Sequence, residues 1–156
     1  MFQANAKIQL YQGGSEGMML PEKAFETEVK RWLREQGIYD LGTPLEKMPV
    51  PPIGYYEKRW GGGMSKAGLP DLHVVVCGVN LDVELKAPHG NPTDLQKFMI
   101  QQINSCGSVG VILYPAGFPA FQGIVKGVIE QCNFLIPALN VLKAAHSSTN
   151  CAILTT

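Results

Sequence analysis

Between Gly68 and Gly90 the chain reads "GLPDLHVVVCGVNLDVELKAPHG", and no other stretch narrows the possible folds as much. Two short runs, "DLHVVVCG" and "LDVELKA", are rich in β-branched and aliphatic residues and meet at "GVN", which signals a β-hairpin. Into these runs the chain sets Asp71, Asp82, Glu84 and Lys86. Charged groups on strands that must pack are costly unless they hold a partner or do chemistry.

Hairpin arithmetic says whether those charges can meet. With an even loop made of Gly78 and Val79, Cys77 faces Asn80, Asp71 faces Lys86 and His73 faces Glu84. Side chains alternate with period two, so Asp71, Glu84 and Lys86 share one face of the hairpin and Asp82 joins them further along. An odd loop would put Asp71 and Glu84 on opposite faces.

Around the hairpin the elements are readable from their punctuation. Pro21 to Gly37 reads as a helix, with proline at its start, glycine past its end and an apolar stripe of Phe25, Val29, Trp32 and Leu33. The proline-rich "TPLEKMPVPPIG" is extended, "YYEKRW" is strand-like, and "GGGMSKAG" is a flexible loop. Asn91 is placed to cap a helix with Pro92 in its first position and Gly107 beyond its end. Leu95, Phe98, Met99, Ile103 and Cys106 supply the apolar face of that helix. "VGVILYP" suits a buried strand, and Phe118–Cys132 and Leu135–His146 read as apolar helices. The order helix, three strands, helix, strand, helix predicts an α/β fold around one mixed sheet flanked by helices. The expected organisation is an N-terminal segment over 1–20, a core over 21–132 and an apolar C-terminal helix and tail over 133–156.

Composition bounds the function classes. An apolar fraction of 46% with 17% charged residues fits one folded domain and argues against disorder. No apolar run is long enough to span a bilayer, and "MFQANAKIQLYQGG" lacks the features of a secretory signal, so a cytoplasmic protein without a membrane partner is expected. Cys77, Cys106, Cys132 and Cys151 are too scattered for a zinc site or a disulfide framework. The formal net charge is zero, but ten of the thirteen Lys and Arg residues precede Gly90. A polyanion surface would therefore draw on the N-terminal half: Lys30, Arg31 and Arg34, with Lys58, Arg59 and Lys66 beside the glycine-rich loop.

Two carboxylates converging at a hairpin end, with a lysine beside them, suit Mg²⁺. This ion prefers hard oxygen ligands and is usually held by one or two carboxylates plus waters and substrate phosphate. The lysine can orient water and offset charge developing on a phosphate oxygen. The chemistry that calls for this set is metal-assisted hydrolysis of a phosphodiester. A solvated strand end with an ordinary Glu–Lys pair is the plain alternative.

Pro70 and Asp71 followed by Glu84, Leu85 and Lys86 resemble the signature of the PD-(D/E)xK nuclease superfamily. The wider run from Gly68 through "VELKAP", Gly90, Leu95 and Gln96 resembles the virus-type replication-repair nuclease family, VRR-NUC. That resemblance, spanning about Gly68 to Pro115, implies a restriction-endonuclease-like αβββαβ core, here with an extra C-terminal helical stretch. It implies a Mg²⁺- or Mn²⁺-dependent deoxyribonuclease without organic cofactor, cutting DNA in replication, repair or recombination and leaving a 5′-phosphate. Asp71 and Glu84 would hold the metal with the backbone carbonyl of Leu85, Lys86 would position water, and Gln96 would support the site. The family also uses an acid of the first helix. Glu22 is favoured because it falls within the apolar stripe; Glu26, on the edge of that stripe, is the rival. Asp82 departs from the family pattern, and could face the site or solvent.

His73 could assist metal or phosphate binding, although a packing role is commoner for a strand histidine, and solvent is the default for His89. Lys58, Arg59, Ser65, Lys66 and Asn91 are the expected nucleic-acid contacts. "NFLIPALNVL" is either core or the face of a homodimer, since nucleases that cut both strands commonly pair two sites by symmetry. A cytoplasmic or nucleoid-associated location is expected, or host cytoplasm for a viral chain. Three rivals share parts of this pattern: a catalytically silent DNA-binding module, a sequence-specific restriction-type endonuclease, and an assembly protein working through its apolar C-terminal third.

Overall fold

In the computed structural model, residues 21–59 and 67–148 are described, with side chains described as far as Asn133. The expected N-terminal segment, most of the glycine-rich loop with Ser65 and Lys66, and the side chains of the apolar C-terminal block lie outside the described residues. The chain is α/β, with a five-stranded mixed sheet flanked by helices. Its elements are α1 (Glu22–Glu35), β1 (Ile38–Asp40), β2 (Gly54–Lys58), β3 (Leu72–Val76), β4 (Val79–Leu85), α2 (Asp94–Ser105), β5 (Val109–Leu113) and α3 (Phe118–Ser148).

The sheet runs in chain order from β1 to β5. Strands β2, β3 and β4 form an antiparallel meander, whereas β1 pairs parallel to β2 and β5 parallel to β4. A parallel return needs a long crossover, and α2 supplies it between β4 and β5. Strand β1 was not anticipated, because three residues after Gly37 are too short to display a period. Its anchor is Tyr39, 3% exposed, whose hydroxyl donates to Val50 O at 2.8 Å and accepts from Val50 N at 3.0 Å. The proline-rich connection, which cannot pair with itself, is pinned there.

The sheet has two unlike faces. On one, Leu72, Val74, Val76, Leu81, Val83 and Leu85 are at most 2% exposed and pack against α1 and α3. The stripe of α1 is buried as its period demands. Phe25 and Trp32 each meet Phe118 edge-on, with ring centroids 5.7 and 5.8 Å apart. The other face carries Asp71, His73, Asp82 and Glu84, and α2 lies over its β4–β5 half.

The hairpin register differs from the expected one. Leu72 pairs with Val83 and His73 with Asp82, so the two-residue turn is Cys77–Gly78, not Gly78–Val79. Both turn residues have positive φ, 50° and 83°, as a type I′ hairpin requires. A β-branched Val79 would be strained in that conformation, so the turn moves back by one residue. The loop stays even, and the acids therefore keep their common face. Their partners change: the register continues to Asp71 opposite Glu84, and His73 faces Asp82 instead of Glu84.

The expected helix at Pro92 starts later, and Asn91 does not cap it. Thr93 is the N-cap: its hydroxyl accepts from Gln96 N while Gln96 Oε1 accepts from Thr93 N, a reciprocal capping box. The apolar face of α2 also differs. Met99 and Ile100 are buried, but Leu95, Phe98 and Cys106 are exposed. The two apolar helices expected over Phe118–Cys132 and Leu135–His146 are one helix, α3, which runs to Ser148. Among the described residues Cys77, Cys106 and Cys132 are free thiols, and burial together with the Cys132 thiol pushes Cys77 up to about 12. No helix of the described residues is long and apolar enough to cross a membrane.

Gly54 marks the tightest approach in the sheet: a Cβ there would lie 2.1 Å from the backbone oxygen of Val75. Backbone on both sides leaves little to give. Gly54→Ala is expected to cost about 2 kcal/mol and lower Tm by roughly 5 °C in a thermal melt; an unchanged Tm would show that β2 and β3 can separate at no cost.

Candidate functional site

The chain gathers Asp71, Glu84 and Lys86 at one end of the hairpin. Asp71 precedes β3, Glu84 sits near the end of β4, Lys86 follows β4, and Gln96 projects from the first turn of α2. Glu84 is 1% exposed and Lys86 9%. Lys86 Nζ donates to Glu84 Oε1 at 2.6 Å, and Gln96 Nε2 donates to the same oxygen. Gln96 is itself clamped by the capping box through its Oε1, so the cap of α2 and the orientation of Glu84 form one chain of hydrogen bonds. Leu85 N–H donates to Asp71 Oδ2 at 2.8 Å, which ties Asp71 across the ladder. Lys86 N–H in turn donates to Leu113 O, docking the end of β4 on β5.

Each carboxylate thus has one oxygen committed. Among the described residues Asp71 Oδ1 and Glu84 Oε2 accept no hydrogen bond, and no partnerless side-chain oxygen is sealed from solvent. The ladder thus sets two carboxyl groups side by side, each with one oxygen that accepts no hydrogen bond among the described residues.

Their electrostatics follow from that placement. Burial pushes the Glu84 carboxyl above its ordinary value, and the Asp71 charge adds to this against the pull of Lys86. Burial likewise raises Asp71, with the Leu85 amide and Lys86 opposing and Glu22 and Glu26 adding to the rise. Burial works against the Lys86 ammonium, but Glu84, Glu22 and Asp71 outweigh it and the lysine is held above its usual range. It is a cation at neutral pH.

The two helix acids separate clearly. Glu26 is half-buried, and its burial is outweighed by Lys30 and Lys58, which bring its carboxyl below the ordinary range. Lys58 Nζ reaches both of its oxygens, at 2.8 and 2.7 Å. Glu22 is exposed instead of lying within the stripe, because it is the first residue of α1, ahead of the buried face. Its charge is felt by Asp71, Glu84 and Lys86, and among the described residues it makes no hydrogen bond or ion pair. The helix N-terminus favours such a charge.

The remaining expected residues divide as follows. Lys58 is engaged with Glu26 on the α1 side of the sheet. Arg59 follows β2 and donates to Asp82 Oδ1 at 2.8 Å. Asn91 is exposed in the connection before α2. Leu85 buries its side chain in the core while its amide serves Asp71. Sequence reasoning missed the Arg59–Asp82–His73 contact, because it depends on the register that a Cys77–Gly78 turn imposes.

Among the described residues no three His, Cys, Asp or Glu side chains converge as a metal-holding group. Two hard carboxylate oxygens beside a lysine nevertheless match what Mg²⁺ asks of a protein, since that ion keeps several waters and takes the rest of its shell from a phosphate. Compared with protein-family models, curated proteins and solved structures, the chain matches none.

The raised Asp71 carboxyl has a consequence for stability. The native state holds that proton to higher pH than the unfolded chain, so the associated stability is present in acid and lost as pH rises through the native value. At neutral pH the charge is therefore a burden. Asp71→Asn, which can still accept from Leu85 N–H, is expected to raise Tm by about 2–4 °C near pH 7, with the gain shrinking as pH falls into the carboxylate range. A melt series across pH checks this; a loss of stability at neutral pH would contradict the sign.

Proposed function

We propose that this protein is a Mg²⁺- or Mn²⁺-dependent endonuclease that hydrolyses DNA phosphodiester bonds on a restriction-endonuclease-like core, akin to the VRR-NUC branch of the PD-(D/E)xK nucleases. The observation that carries this reading is the convergence of Asp71, Glu84, Lys86 and Gln96, with one oxygen of each acid free of hydrogen bonds among the described residues. Such a cluster is a poor structural device. Replacing a buried ion pair by apolar residues is often neutral or stabilising, and here burial raises both acids above their ordinary values.

In the mechanism, Asp71 and Glu84 would hold the metal, joined by the Leu85 carbonyl, with Glu22, whose charge both acids feel, as the helix acid. A bound Mg²⁺ supplies charge neutralisation at the phosphate and lowers the pKa of water. Gln96 keeps Glu84 from rotating, because its own carbonyl is locked in the α2 cap. Lys86, charged at neutral pH, donates to water on the attacking side and offsets charge accumulating on the phosphate oxygens. Hydrolysis forms a bond from the water oxygen to phosphorus and breaks the bond to the 3′-oxygen, giving a 5′-phosphate and a 3′-hydroxyl. A structure-selective substrate, such as a junction, flap or nick, suits the short loops around the site better than a long recognition sequence does. Two copies related by symmetry would allow both strands to be cut.

The test pairs two readouts. Supercoiled plasmid, linear duplex, single strand, flap and four-way junction are incubated with Mg²⁺, Mn²⁺ or EDTA. Wild-type protein is expected to cut in metal only. Asp71→Asn should lose on the order of 100-fold or more in rate, and Gln96→Ala about 10–100-fold through misplacement of Glu84. Mg²⁺ alone is also expected to raise the wild-type melting point by an amount equivalent to about 2.7 kcal/mol at roughly a hundredfold excess over Kd, and not that of Asp71→Asn. Tight DNA binding without cutting in any metal would instead favour a silent binding module.

A further inference from the structure

Asp82 lies in the middle of β4, two residues before Glu84 and on the same face, and is 6% exposed. A carboxylate so enclosed needs partners, and its Oδ1 has two. Arg59 Nη1 lies 2.8 Å away and His73 Nδ1 3.0 Å away. Both are brought there by backbone pairing. His73 stands opposite Asp82 in the β3–β4 ladder, and Arg59 N–H donates to Asp71 O at 2.8 Å, extending the β2–β3 ladder by one residue.

The arrangement points inward at Asp82 and outward everywhere else. A carboxylate only accepts, so His73 Nδ1 carries the hydrogen and Nε2 is left at the far side of the ring. Arg59 has five N–H donors in a planar fork. Among the described residues its other nitrogens and His73 Nε2 have no partner, and none of them is sealed from solvent. Helix α2 lies over β4 and β5, while Tyr55 and Glu57 on the β2 side of the same face are exposed.

Stability alone gives no reason for this trio, because a buried ion pair adds little over apolar residues of the same volume. An oxyanion does give a reason. A guanidinium fork fits two oxygens of a phosphate, and the imidazole beside it, once protonated at Nε2 as well as Nδ1, donates to a third. The spacing also fits a polymer: the His73–Asp82 pair stands two residues along the ladder from Asp71 and Glu84, about 6.6 Å, comparable with the step between neighbouring phosphates of a nucleic-acid strand. We propose that Arg59 and His73, positioned by Asp82, form a second phosphate subsite that grips the DNA backbone one nucleotide from the bond held at Asp71, Glu84 and Lys86. The identity of the ligand as DNA rests on the nuclease reading; the subsite itself is judged by binding alone.

Fluorescence anisotropy of a labelled DNA oligonucleotide in EDTA, over a range of salt, tests this without any cleavage. Arg59→Gln is expected to raise Kd about tenfold or more and to lower the slope of log affinity against log salt by about one. His73→Gln should raise Kd less and in the same direction. Methylphosphonate, which removes one backbone charge, is then placed at each position in turn. Wild type should lose affinity at one particular position, and Arg59→Gln should lose nothing further there. Where Arg59→Gln fails to fold, Arg59→Lys serves: it keeps the charge and the salt slope but loses the fork and raises Kd. Unchanged Kd and slope in these variants would mean a structural ion pair only and overturn the proposal. So would a methylphosphonate penalty equal in wild type and variant, or a wild type that binds no oligonucleotide. A wild type that binds with the expected pattern but never cuts would sink the nuclease reading and leave the subsite standing.

Discussion

A two-residue turn with both residues at positive φ sets the geometry of everything chemical in this protein. Because Cys77 and Gly78 make that turn, each residue of β3 has one defined partner on β4, and the polar side chains of both strands fall on one face. A slip by one residue would carry Asp82 and Glu84 into the apolar core and lift Leu81, Val83 and Leu85 out of it. The apolar face, packed against α1 and α3, makes that slip prohibitive. The core thus enforces the register, and the register assembles the site.

The charges that result are arranged at a cost that the surrounding contacts absorb. Glu84 is nearly sealed, yet one of its oxygens is held by Lys86 and Gln96. Asp71 is held by the Leu85 amide, and Asp82 by Arg59 and His73. In each case one oxygen is fixed by the protein, which holds the carboxylate in one orientation. Such preorganisation is what a binding or catalytic constellation requires. The cap of α2 is part of it, since Gln96 serves helix and carboxylate with opposite ends of one amide.

Legibility in the sequence tracked how local the controlling physics was. The stripe on α1 and the buried run of β5 are set by periodicity within one segment, and both were readable. The common face of Asp71, Glu84 and Lys86 was readable because it depends only on the parity of the loop. The particular pairing was not, because it depends on which residue tolerates positive φ. The Thr93–Gln96 box was present in the sequence but masked by Pro92, a proline that elsewhere marks a first helical turn. Strand β1 had no period to display, and exists because β2 offers it an edge. On α2, Leu95 and Phe98 follow the helical spacing and still face outward, since only the sheet's position decides which flank of a helix is covered.

By itself the sequence determined the α/β class, the hairpin, the even loop and the identity of the residues that would carry charge onto one face. These are properties of neighbours along the chain, governed by backbone conformation and the two- and 3.6-residue periods. Tertiary structure alone decided that Lys58 pairs with Glu26, that Arg59 pairs with Asp82, and that Glu22, without an ion pair among the described residues, acts by its charge on Asp71 and Glu84. Charge pairing depends on distance through space and on burial, and residues separated by 23 to 32 positions declare neither until the strands are laid side by side.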